Sequence, residues 1–171
     1  RMRSQCVLFS TALGAHEMQA DGDAGTRCEL LLARGDAQTS AGDRAAAQDS
    51  FVRAADIARQ AGWADRFARA ALGYGGRLVW EEDHERTHRL STLLEGALGA
   101  LGEDNPLRAR VLARFACAAG MYWDYPVEVR RQWQEARSRE AVELARRLGD
   151  PATLGWALTA RFLIVWGPDH L

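Results

Sequence analysis

The chain reads as an all-α protein built from antiparallel helical hairpins, and three observations carry that reading. Alanine and leucine dominate, with 31 and 20 copies against 8 valines and 2 isoleucines. Ala and Leu lose little entropy in a helix, whereas β-branched residues favour strands. Helix-breaking clusters recur on a regular beat: DGDAG (21–25), AGD (41–43), GWAD (62–65), EEDHE (81–85), GEDNP (102–106), WDYP (123–126), LGDP (148–151) and WGPD (166–169). The segments between them have the periodicity of amphipathic helices. The chain also resembles itself: AADIARQAG (54–62) aligns with AVELARRLG (141–149) at an offset of 87, twice a unit in the forties. A period of that size, filled by two helices, means stacked hairpins, none of which buries its apolar face alone.

The pattern predicts helices over 4–19, 26–41, 44–61, 65–80, 85–101, 106–122, 127–148 and 151–166. The first is a degenerate N-terminal helix within 1–25. Gly42-Asp43 makes the tight turn between the next two. Residues 47, 51, 54, 55, 58 and 61 then share one face, where small side chains let a neighbouring helix approach and Phe51 fills the gap left at one level. Three glycines in GYGGR (73–77) weaken the following helix by about 1 kcal/mol each relative to Ala, which predicts a kink at 73–76. Asn105-Pro106 and Asp150-Pro151 each place a side-chain acceptor at an N-cap and Pro at the first helical position. In RRQWQEARSRE (130–140) mixed charge at helical spacing, with Glu135 four residues before Arg139, reads as a solvated face.

Composition excludes several roles. A length of 171 residues, with 47% hydrophobic and 26% charged residues, suits a single globular domain with a real core. A net charge of −1 argues against direct nucleic-acid binding. All 22 basic residues are Arg, so there is no lysine for a P-loop or a Schiff base. Cys6, Cys28 and Cys117 are far apart and form no CxxC, which reads as small buried hydrophobes in a reducing cytoplasm. No apolar run reaches the roughly 18 residues of a membrane span, and the first 18 residues lack the apolar centre and cleavage site of a signal peptide.

No catalytic constellation stands out. GYGGR has no following GK[ST] and reads as close helix packing rather than a phosphate loop. His84 and His88 lie four apart on one helix face, a spacing that can bind zinc. Their acidic neighbours Glu81, Glu82, Asp83 and Glu85 read instead as a solvated helix start that favours the helix dipole. HEMQA (16–20) has Ala20 where a second histidine would stand. There is no GxSxG. The chain is expected not to be an enzyme and to need no metal or cofactor.

The six tryptophans, Trp63, Trp80, Trp123, Trp133, Trp156 and Trp166, fall mostly near helix ends and read first as packing between hairpins. A binding reading groups Tyr74, Arg77, Trp80, Met121, Trp123, Arg161 and Trp166, which fall in or just after the first helices of successive units. An Arg beside aromatic rings binds a carboxylate or phosphate.

Gly35, Ala47, Phe51 and Ala54 stand in the order and spacing of the small, Ala, aromatic and Ala positions of the tetratricopeptide (TPR) repeat, which residues 28–61 resemble. Leu94-x-x-Ala97 keeps only the end of that pattern, and Ser138, before Ala141, replaces the aromatic in a third unit. The units are also longer than the usual repeat of about 34 residues. The resemblance implies a right-handed superhelix of hairpins over 26–171, with the concave face lined by the first helices. RCELLLARGDAQTSAGDRAAAQDSFVRAADIAR, ARAALGYGGRLVW and ARRLGDPATLGWALTARFLIVWGPDHL together resemble the helical-repeat region of bacterial LuxR-type and maltose-regulator-like signalling ATPases. That likeness implies a cytoplasmic module cut from a longer chain. It would sense an inducer or protein partner or self-associate, while flanking domains handle ATP and DNA. The alternative is a stand-alone TPR adaptor gripping a peptide.

Overall fold

A computed structural model describes residues 8, 11–12, 23–76, 84–119 and 124–165. Among them are seven helices and no strand: α1 (Ala24–Ser40), α2 (Arg44–Gln60), α3 (Ala64–Gly75), α4 (His84–Ala100), α5 (Pro106–Ala119), α6 (Val127–Leu148) and α7 (Pro151–Val165). Each begins and ends within a few residues of the sequence expectation, except α3, which closes at Gly75; residues 120–122 of the helix expected over 106–122 lie outside the described residues. The expected helix over 4–19 lies almost wholly outside the described residues. No described helix is long and apolar enough to cross a membrane. The chain falls into two compact units, residues 1–76 and 77–171.

In the first unit α1 packs on α2, α2 on α3, and α1 on α3. Local chemistry sets the boundaries. The Asp23 carboxylate accepts from the backbone N–H groups of Gly25 and Thr26, at 3.1 and 3.0 Å, supplying acceptors the first turn lacks. Gly42 takes φ 82° in the turn, and Asp43 Oδ1 accepts from the Ala46 N–H at 3.1 Å to start α2. α3 stops rather than kinks: Gly76 adopts φ 60°, ψ −148°, a conformation open essentially to glycine alone.

The core of this unit is built around one ring. Phe51 is 1% exposed. A Cβ built on Gly35 of α1 would lie 2.7 Å from its Cε1 and Cζ, and one on Gly73 of α3 would overlap it further. The ring therefore sits on bare backbone on both sides. Ala47, Ala54, Ala55 and Ala58 of α2, with Cys28, Leu31 and Leu32 of α1, complete the close approach. Ala61, expected on that face, is past the helix end and exposed. The Cys28 thiol points at the Ala54 carbonyl, 3.6 Å away.

In the second unit α4 packs on α5, α5 on α6, α6 on α7, and α5 on α7. Its core joins Ala109, Leu112 and Ala113 of α5 to Ala141, Val142, Leu144 and Ala145 of α6 and Ala157 and Ala160 of α7. Both expected caps are present: Asn105 Oδ1 accepts from the Leu107 N–H and Asp150 Oδ2 from the Thr153 N–H, each at 2.9 Å. Gly149 ends α6 in the left-handed region, φ 69°. The burial patterns of the two units correspond. Cys28, Leu31, Leu32 and Gly35 match Ala109, Leu112, Ala113 and Ala116, and Ala54, Ala55 and Ala58 match Ala141, Val142 and Ala145. At the place of Phe51 stands Ser138, fully buried, its hydroxyl donating to the Glu135 carbonyl at 3.1 Å.

Two tests follow from this packing. Phe51→Ala should cost about 3–5 kcal/mol in chemical denaturation, and a loss below about 1 kcal/mol would contradict the ring's role. Both cap carboxyls are held below the ordinary carboxylate range. For Asp23 the Gly25 N–H contributes most, then the Thr26 hydroxyl and N–H; for Asp150 the Thr153 hydroxyl, then its N–H. A carboxyl with a depressed folded pKa adds stability above its unfolded pKa and loses it as pH falls through the folded one. Asn at both positions keeps the cap acceptor but does not titrate. Asp23→Asn with Asp150→Asn should therefore flatten the loss of melting temperature below about pH 4, and an unchanged acid limb would contradict the assignment.

Candidate binding surface

Of the seven residues that the sequence groups as ligand contacts, Tyr74 and Arg161 are described. Arg77, Trp80, Met121, Trp123 and Trp166 lie outside the described residues. Tyr74 is 6% exposed. It follows Phe67, Ala70 and Ala71 on the buried face of α3, so its ring packs inside its unit instead of offering itself to a ligand. Arg161 is half-buried, and its Nη1 donates to the Ser138 hydroxyl at 3.0 Å. Its guanidinium thus serves the α6–α7 junction, where Ser138 replaces an aromatic ring.

The remaining candidates sort in the same way. In GYGGR, Gly73 gives close packing against Phe51, as expected of a packing glycine. The 130–140 stretch is not wholly solvated: Arg137 lies 4.3 Å over the Phe115 ring and Ser138 is buried. Residues 84–88 carry the full His-Glu-x-x-His spacing and form the first turn of α4. There the His84 Nε2 lies 3.6 Å from the Asp124 carboxylate, both side chains being more than half exposed. Among the described residues no three His, Cys, Asp or Glu side chains come together as a metal site. Burial pushes up the Cys28 thiol and takes Cys117 to about 11, so both are protonated at neutral pH and behave as apolar filler.

What sequence reasoning missed is on the faces formed by consecutive first helices. Between α1 and α3, Glu29 ties two arginines. Arg66 Nε donates to Oε1 at 2.8 Å, and Arg69 Nη1 donates to Oε1 and Oε2 at 3.1 and 3.0 Å. Arg66 also lies 4.4 Å over the Trp63 ring. Partial burial pushes the Glu29 carboxyl up, but the bonds from Arg69 and Arg66 outweigh it and hold the group below the ordinary range. Between α5 and α7 the corresponding pair is Arg110 and Trp156, with the guanidinium 5.5 Å over the indole. Each pair sets a guanidinium beside an aromatic ring, as Arg137 does over Phe115. The clue in the sequence was RARVLAR (108–114), arginines at helical spacing with no acid among them.

The Glu29 side chain is 42% exposed, so solvent screens its ion pairs. Glu29→Gln should cost less than about 1 kcal/mol at low salt and nothing measurable in about 1 M salt. A loss above about 2 kcal/mol would mark the cluster as a structural anchor instead. Compared with models of protein families, with curated proteins and with solved structures, the chain finds no match.

Proposed function

We propose that this chain is a non-catalytic interaction and sensing module of a larger ATPase-type transcriptional regulator. It is a TPR-like array of hairpins that responds to a partner or inducer by changing conformation. The observation that carries the reading is the repeated packing order. In each unit a first helix contacts a second, and both contact the next first helix, as in stacked hairpin repeats. The Phe51 ring between Gly35 and Gly73 supports the TPR comparison, because the aromatic and small positions of that repeat meet there. On this reading its output is a shift between states that bind the partner unequally. The regulator context rests on the resemblance of ARRLGDPATLGWALTARFLIVWGPDHL and its companions.

Sequencing the coding DNA on both sides tests this reading. It predicts an open frame running upstream into GxxxxGK[ST] and downstream into a helix-turn-helix. A start codon just before Arg1 with a stop just after Leu171 would overturn the regulator context and favour a free-standing peptide-binding adaptor.

A further inference from the structure

We propose that His84, His88 and Asp124 bind a divalent transition-metal ion of the zinc class, which ties the start of α4 to the turn before α6. The proposal goes beyond the module reading and does not depend on it. The sequence alone reads the acid-rich stretch around His84 as a solvated helix start. What changes that reading is Asp124, far along the chain, which the fold of the second unit brings back to His84.

The His84 Nε2 and the Asp124 Oδ2 lie 3.6 Å apart. That is too long for a hydrogen bond. As an ion pair it is weak, because the side chains are 59% and 76% exposed and solvent screens such pairs. The separation does suit two ligands of one ion. Zinc bonds to imidazole nitrogen and carboxylate oxygen run about 2.0–2.2 Å, so tetrahedral geometry sets neighbouring ligand atoms about 3.3–3.5 Å apart. An ion between the two atoms needs little movement of either.

His88 supplies the third ligand. It follows His84 at i,i+4 in α4, so both side chains leave the helix on one face. Histidines at that spacing on a helix chelate a single zinc ion. Both are exposed. Among the described residues no three such groups converge, so binding includes a turn of the exposed His88 side chain to another staggered rotamer. The donor set selects the ion. Imidazole with carboxylate suits zinc, whereas magnesium takes oxygen ligands. The positive end of α4 works against a cation, and the carboxylates of Glu85, in the same first turn, and Asp124 offset it. Held by both elements, the ion clasps the first turn of α4 to the entry of α6, which lie on either side of α5 in the chain. Three protein ligands leave the fourth tetrahedral position to water.

Isothermal titration of the 171-residue chain with zinc chloride at neutral pH tests this. A single saturable site is expected, with the melting temperature rising as zinc is added. Magnesium chloride should give neither result. His84→Gln, His88→Gln and Asp124→Asn should each weaken zinc binding by at least about tenfold. His16→Gln and His170→Gln remove the other two histidines and should change affinity by less than about twofold. All three proposed ligands are exposed, so each variant should keep the circular dichroism of the parent chain. No saturable binding up to about 1 mM zinc would overturn the proposal, as would an affinity that His84→Gln and His88→Gln leave unchanged. A loss in both histidine variants with none in Asp124→Asn would overturn the clasp between α4 and α6.

Discussion

Everything in the first unit depends on the Phe51 ring lying between the bare backbones of Gly35 and Gly73. A ring in that place fixes the separation of α1 from α2 and of α2 from α3 together. The alanines around it follow as a consequence. Once the helices are that close, Ala54, Ala55, Ala58, Ala68, Ala70 and Ala71 fill the remaining space, and a larger side chain would overpack it. Gly73 has a second role at the level of the chain. The residues that bare α3 for the ring also weaken the helix, and it ends two residues later at Gly75, with Gly76 turning the backbone out.

The second unit solves the same problem with different chemistry. Where the first uses a ring and glycine, it uses Ser138, Ala116 and Ala160, and it closes the α6–α7 junction by a hydrogen bond from Arg161. Where the first ties consecutive first helices by an ion pair, the second uses a cation–π contact between Arg110 and Trp156. The backbone plan is shared, while the side chains that hold it differ.

The local features of the fold were legible in the sequence. The caps at Asn105 and Asp150 involve residues two or three apart, so composition alone announces them. The Gly35–Phe51–Ala54 spacing was legible because helical periodicity places those residues on facing surfaces. The contact of Gly73 with Phe51 was not, because it depends on how α3 docks, and the run GYGG reads equally well as a kink. The candidate surface was read less well. Tyr74 looked like a groove residue because it is aromatic, although Phe67, Ala70 and Ala71 before it already marked its stripe as core. Arg110 and Trp156 stand on different helices, and their pairing depends on the packing of α5 against α7.

A double-mutant cycle on Phe51 and Gly73 tests the central claim most directly. Gly73→Ala in the native background should destabilise by several kcal/mol, because the new Cβ meets the ring. In the Phe51→Ala background the clash is gone, and the same change should be neutral or stabilising by about 1 kcal/mol from helix propensity alone. An equal cost of Gly73→Ala in both backgrounds would show that the two residues do not meet, and the account of the core would be wrong.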